Sequence, residues 1–354
     1  MMRSSYDKKD VTLLLKDISG MVTPLPTQER ERLIQSGIHY SQMLPLEYKP
    51  SPDYIKAYNF ALKTYSKTTA DAVCQVAEKI YKKLSDQSQI VLVSLARAGI
   101  PIGILIKRYL EKKYFNKKVF HYSISIIRGR GIDENAIAYI LSRHPAGAIC
   151  FVDGWIGKGA IQRELTAALS NYKEIDTTLA VLSDPANITS LCGTHEDILI
   201  PSSCLNCTVS GLLSRTFLRD DIISPTDFHG AAYYKELENE DLSLSFLSCI
   251  EQYFDYNTAI EDTTPSGYTG LMEVQELSHT FGIENINFIK PGIGEATRVL
   301  LRRVPWKLLI RQGESKNPLL AHLLQLAKEK NVPVEEYPLK NYFACGIIKN
   351  LADA

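Results

Sequence analysis

No apolar run in these 354 residues approaches the roughly 20 needed to cross a bilayer as a helix. The first ten residues, Met1 to Asp10, are polar and lack the apolar core of a secretion signal. Net charge is missing as well: 40 Lys and Arg cancel 40 Asp and Glu. The chain as a whole therefore offers no field that would draw it to nucleic acid or to an anionic membrane. Cysteine is present without pattern. Seven thiols, odd in number and irregularly spaced, predict reduced cysteines in a cytoplasm rather than a disulfide framework. Cys204 and Cys207 form a lone Cys-x-x-Cys with no second pair and no His pair at zinc spacing, so no metal site is expected. Internal repeats and low-complexity tracts are also absent. What remains is an ordinary globular composition, 45% apolar and 23% charged, on a chain long enough for two domains.

Hydrophobic periodicity orders the first part as alternating helices and strands. Ala72, Val73, Val76, Ala77, Ile80 and Tyr81 recur at helical spacing within 68–84. Strands are predicted over 90–94, 118–124, 148–152, 177–182 and 197–200, and helices over 100–113, 135–141 and 160–169. Continuous Ile/Val/Leu runs between helices indicate an α/β fold with a mostly parallel sheet covered on both faces. The passage Gly37 to Glu47 reads as a lid or as a packing extension. Turn formers dominate Asn257 to Gly270, which divides the chain into a first domain at 1–256, a linker at 257–272 and a small α/β domain at 273–354.

Three strands lead into loops suited to anions. The first loop is Ser94-Leu95-Ala96-Arg97-Ala98-Gly99, whose small residues let backbone N–H groups wrap an oxyanion while Arg97 adds charge or braces the turn. In the second, Ser125 to Asp133, Arg128 and Arg130 alternate with Gly129 and Gly131. This reads as a mobile arm over phosphates or as a solvated surface loop. The third, Asp153-Gly154-Trp155-Ile156-Gly157-Lys158-Gly159-Ala160, joins an acid, a glycine turn and a helix start into a phosphate cradle. Its alternative is a tight strand–helix turn with an exposed lysine.

The order of these loops resembles the type I phosphoribosyltransferase fold over about residues 65–205. The resemblance implies a pyrophosphate loop made by Ser94, Ala96, Arg97, Ala98 and Gly99, with a flexible loop carrying Arg128 and Arg130. It also implies a phosphoribosyl loop made by Asp153, Gly154, Gly157, Lys158, Gly159 and Ala160. It further implies Mg²⁺ carried with a diphosphate, ribose hydroxyls held by Asp153, and pentosyl transfer driven by positioning and electrostatics. The chain departs from that pattern at Gly154, where the family has a second acid, and at Gly157-Lys158-Gly159, where it has Thr-Thr-Gly. Lys158 is then expected to supply the charge for a phosphate.

The first loop, the Val152-to-Gly159 turn, the run Cys204-Leu205-Asn206-Cys207-Thr208-Val209-Ser210-Gly211 and a small C-terminal domain together resemble the StiP family. That resemblance implies a phosphoribosyltransferase-like protein with a C-terminal Pelota-type RNA-binding domain, associated with tellurite-resistance stress genes. On this reading the chain is a pentosyltransferase that binds a phosphorylated sugar or nucleotide, makes a nucleoside-like metabolite or acts on RNA. The family's usual name is cysteine protease, which opens a second reading. A thiol nucleophile needs a nearby His and an orienting acid, and Cys204, His229 and Asp227 are the candidates. A third reading is a nucleotide sensor without turnover.

In the last part, Pro291 and Gly292 open a helix that continues through Glu295 and Arg298 to Arg303, followed by a strand at 306–310, a helix at 318–328 and further strands from Asn331 and Tyr342. Lys290 to Lys349 holds eleven Lys or Arg against five Glu. A basic excess beside a glycine-led helix start suits RNA backbone contact. The segment resembles the Pelota and kink-turn-binding ribosomal protein family, which implies RNA contacts from Gly292, Glu295 and Arg298, with Gly294 where that family has Asn. The alternative is a basic docking domain.

Overall fold

The computed structural model describes residues 2–267 and 269–349. Six apolar strands pair into the main sheet: β1 (Thr12–Leu13), β2 (Gln89–Leu95), β3 (Lys118–Ile124), β4 (Ile149–Val152), β5 (Leu179–Ser183) and β6 (Cys192–Thr194). They lie in the order β1-β3-β2-β4-β5-β6, every pair parallel. Ile90, Val91, Leu92 and Val93 of the central β2 are fully buried because both faces are covered. Ile90 and Leu92 face helices Pro52–Lys83 and Gly99–Lys113. Val91 and Val93 face helices Glu134–Leu141 and Ala160–Ala168. The chain leaves β2 toward β3 and returns on the other side as β4. The carboxyl ends of β2 and β4 therefore meet at the topological switch point, where open α/β sheets hold ligands.

Two elements differ from expectation. The helix predicted over 68–84 spans Pro52–Lys83. Its early turns present Tyr54 and Tyr65, whose hydroxyls donate to the carbonyls of Leu301 and Leu319, so its partner lies far along the sequence. The segment Asp197–Ile200 is not a strand; β6 forms instead at Cys192–Thr194. A Cβ on Gly193 would lie 2.6 Å from the Cβ of Ala72, so only glycine lets that strand settle on the long helix.

The second sheet contains β7 (Ile289–Pro291), β8 (Pro305–Arg311), β9 (Val334–Tyr337) and β10 (Ala344–Ile348) in the order β7-β10-β8-β9. β10 runs antiparallel to both neighbours, and β8 and β9 are parallel. Helix Thr269–Thr280 begins inside the interval read as linker. Ile293, Ala296 and Leu300, on helix Ile293–Arg302, share one apolar cluster with Ala61, Leu199, Ile200 and Cys204 of the first domain. The smaller domain is thus packed onto the larger one through helix Ile293–Arg302. The fold is mixed α/β, with a parallel main sheet and a smaller C-terminal domain.

Candidate functional site

Two of the anion-suited loops come together at the switch point. A Cβ on Gly99 would lie 2.5 Å from the carbonyl oxygen of Val152, so glycine is what lets the loop after β2 touch the loop after β4. Arg97 is not free for a ligand. Its guanidinium donates to the carbonyl of Leu213 (2.7 Å), to Asn206 Oδ1 (3.1 Å) and to Glu47 (3.2 Å). It braces the loop, and Glu47 comes from the Gly37–Glu47 passage. Ser94 is likewise internal, its hydroxyl held by the Gly99 carbonyl and His121. Arg97→Lys keeps the charge but loses the fork. It is expected to cost about 2 kcal/mol, read as a lower denaturant midpoint at unchanged slope; an unchanged midpoint would reject the bracing role.

The glycine/arginine loop is a short hairpin, Ile126–Ile127 pairing antiparallel with Gly131–Ile132. Glu164 accepts from the N–H groups of Gly129 (2.7 Å) and Gly131 (2.9 Å), and Tyr40 accepts from that of Arg128. Arg128 donates to Asn287 of the C-terminal domain at 3.2 Å, and Arg130 is exposed. The hairpin is pinned by Glu164, a residue that the sequence reading did not single out.

The loop after β4 faces the C-terminal domain across a cavity of about 210 Å³. Ala98, Asp153, Trp155, Gly157, Lys158 and Gly159 line one side, and Lys290, Glu295 and Arg298 line the other. Asp153 and the expected RNA-contacting Glu295 and Arg298 therefore share one pocket. Glu295 pairs with Arg298 at 3.1 Å, and Arg298 lies 5.6 Å from the centre of the Trp155 ring. Burial pushes the Asp153 carboxyl up to about 7, against the pull of the Gly154 N–H and Arg298. Burial likewise pushes the Lys158 ammonium down to about 7, helped by Lys290 and Arg128. Lys158 donates to the carbonyls of Ile286 (2.6 Å) and Ile289 (3.2 Å), so it ties the two domains together. Tyr342 adds a bond to the Gly157 carbonyl at 2.6 Å.

The glycine-led helix end is already occupied. Asp197 accepts from the N–H of Ile293 (2.9 and 3.1 Å) and from that of Phe343 (2.9 Å). A Cβ on Gly292 would come within 3.1 Å of the same carboxylate. The seat at which RNA was expected thus holds a side chain of the first domain, and Gly292 is buried.

Cys204, His229 and Asp227 are not brought together. Cys204 is fully buried, its sulfur toward the Ala57 carbonyl, with its thiol pushed up to about 12 by burial. His229 bonds Ser125 and Asp133, and Asp227 bonds Lys16 and Ser224. Another cysteine has the neighbours a nucleophile needs. Asp184 directly follows β5, His195 directly follows β6, and Cys192 opens β6. Their ligand atoms lie within 4.8 Å of one another. Cys192 Sγ is 3.7 Å from His195 Nε2 and 3.8 Å from Nδ1. Nδ1 faces the Asp184 carbonyl at 2.9 Å and its carboxylate at 3.5 Å. Asp184 Oδ2 accepts from the N–H groups of Ile188 and Thr189, while Oδ1 is buried without a partner among the described residues. Among the described residues, Cys192 is the cysteine with a histidine in hydrogen-bond reach. Thiol, imidazole and carboxylate are also a donor set that zinc accepts. The signal in the sequence was Cys192-Gly193-Thr194-His195 beside a strand that ends in an acid.

Comparison with known proteins follows this geometry. Residues 4–251 match the family described as "Tellurite-like stress resistance cysteine protease StiP". Residues 268–350 match the PELOTA RNA binding domain. The chain is 37% identical over 344 residues to "Cysteine protease StiP" of Acinetobacter baylyi, covering 92% of this chain and 88% of the relative. The expectation of a pentosyltransferase is corrected by these matches: the family and the relative are both named for a hydrolase. The geometry agrees in part, since Arg97 is spent on bracing and Lys158 on interdomain carbonyls. With the transferase chemistry goes the reason given for Mg²⁺.

Proposed function

We propose, since this chain belongs to the StiP family of stress-resistance cysteine proteases, that it is a cysteine hydrolase whose nucleophile is Cys192. The observation that carries the reading is the Cys192–His195–Asp184 cluster at the carboxyl edge of the sheet. His195 takes the thiol proton, and the thiolate attacks the scissile carbonyl carbon. The tetrahedral adduct collapses to a thioester as the amine leaves with the proton from the imidazolium. Water, activated by the same imidazole, then hydrolyses the thioester and restores the thiol. Asp184 orients the ring through Nδ1. Lys79 bonds the Cys192 carbonyl at 2.7 Å and brings to the cluster a buried positive charge that favours the thiolate. Activity should survive a chelator and disappear in Cys192→Ala. Loss on chelation with recovery on added zinc would overturn the nucleophile in favour of a metal site built from the same ligands.

A second reading has its own observation. Among the described residues the N–H groups of Gly157, Lys158 and Gly159 meet no protein acceptor, and these residues line the interdomain cavity with Lys290 and Arg298. We read that cavity, on a scaffold of the phosphoribosyltransferase type, as a seat for a phosphorylated ligand such as a nucleotide. Raising pH through about 7 gives Asp153 a negative charge and takes the positive one from Lys158, so both changes weaken anion binding. Sulfate, whose charge is the same at both pH values, followed through tryptophan fluorescence with Trp306→Phe as background, is expected to bind about tenfold more tightly at pH 6 than at pH 8. Equal affinities would reject the seat. For RNA, the C-terminal domain offers the exposed Trp306, with Lys307 4.9 Å over its ring and paired with Glu335 at 2.7 Å.

A further inference from the structure

The segment between the domains does not hang free. Gln75, on the long helix, donates to the Ala259 carbonyl (2.7 Å) and accepts from the Glu261 N–H (3.0 Å), so one amide side chain reads the backbone of two alternate residues. Further along, Asn187 accepts from the Ser266 N–H at 2.6 Å. Between these clamps, Thr263 points inward. Its carbonyl lies 3.2 Å from His195 Nε2, and its hydroxyl bonds Lys79 (2.6 Å) and the Ser190 carbonyl (2.8 Å). Ala259, Ile260, Glu261, Asp262, Thr264 and Ser266 are exposed, so the segment is a strap laid across the Cys192 cluster and not part of the core. The groove beneath it grips main chain through Gln75 and Asn187, which is how extended peptides are held without regard to most of their side chains, and Lys79 adds a contact to the one hydroxyl at Thr263.

We propose that the strap Ala259–Ser266 occupies the substrate groove of the Cys192 site, and that the substrate is an extended peptide taking the strap's place with a small hydroxylated or β-branched residue where Thr263 sits. The proposal rests on the cysteine-hydrolase reading. With the strap seated, Cys192 is buried and its thiol is pushed up to about 11. Displacement opens the sulfur to water and substrate and frees His195 Nε2 from the Thr263 carbonyl.

The test uses the full chain and two variants of the strap itself, which leave the groove intact: Glu261→Pro, which removes the N–H that Gln75 accepts, and Thr263→Ala, which removes the hydroxyl bonded to Lys79 and the Ser190 carbonyl. Each is treated with iodoacetamide and with an extended fluorogenic peptide. A synthetic peptide of the strap's sequence, residues 257–267, is added in trans. The expected result is at least tenfold faster labelling of Cys192 in both variants, with Cys249 unchanged as the partly exposed reference. Peptide hydrolysis rises in parallel, and the free strap peptide reverses both. Equal labelling of Cys192 in wild type and variants, or no protection by the strap peptide, overturns the occupied groove. Faster labelling and protection without hydrolysis leave the strap in its groove and overturn the hydrolase reading instead.

Discussion

Cys192→Ala lowers kcat/KM for peptide hydrolysis by a thousandfold or more, about the loss seen when a nucleophile that acts as a unit with its base is removed. Cys204→Ala, in contrast, leaves the rate within about twofold, because Cys204 has the Ala57 carbonyl and apolar neighbours around its sulfur and no imidazole. The contrast is informative because both cysteines are fully buried. Burial alone raises both thiols, so the difference between them lies in their neighbours. At Cys192 the Thr263 hydroxyl pulls the thiol down, the Asp184 carboxylate pushes it up, the positive charge of Lys79 pulls it down again, and His195 stands beside it. His195→Asn should cost nearly as much as Cys192→Ala and should not add to it, since base and nucleophile act in one step. Hydrolysis that survives Cys192→Ala rejects the assignment.

The second large effect is structural. Asp197→Ala leaves the N–H groups of Ile293 and Phe343 without acceptors inside a closed interface. Each orphaned donor costs about 1–3 kcal/mol, and a lost helix cap belongs to the same range, so the expected destabilisation is about 3–5 kcal/mol. Burial pushes the Asp197 carboxyl up to about 7, and the N–H donors it faces pull it back. Asp197→Asn keeps one acceptor oxygen and should recover part of the loss. The effect is directional as well. Helix Ile293–Arg302 is the element by which the small domain packs on the large one, so Asp197→Ala should also speed proteolytic cutting within 257–267. A loss below about 1 kcal/mol, with unchanged cutting, would show that the carboxylate does not hold the interface.

The parallel sheet was legible in the sequence because its strands are continuous apolar runs separated by helical spacing. The Lys118–Ile124 strand coincides with its prediction for that reason. The loops after β2 and β4 were also legible, and their glycines are required where the two backbones touch at Gly99. What was not legible came from pairings distant in sequence. Nothing local to Asp197 announces that it will cap a helix some hundred residues on. Ser51, Pro52 and Asp53 do mark a helix start, with an N-cap residue, a proline at the first helical position and an acid in the first turn; the apolar spacing over 68–84 did not reach back to it, because the earlier turns pack on remote residues such as Leu301. Cys204, Asp227 and His229 carried the right residue types but fold apart, whereas Asp184, Cys192 and His195, closer together along the chain, are gathered by adjacent parallel strands whose ends share an edge. Gly292, Glu295 and Arg298 carried a recognisable pattern, but the pattern could not say that the face they form is turned inward onto Asp153 and Trp155.

The central claim is that one thiol among seven is the nucleophile. It is tested most directly by treating the protein with a peptide-based electrophile and mapping the adduct by mass spectrometry, in wild type and in His195→Asn. The account predicts a single stoichiometric adduct on Cys192 that is lost in His195→Asn although the cysteine is still present. An adduct on Cys249, a spread over several cysteines, or labelling of Cys192 that ignores His195 would contradict it.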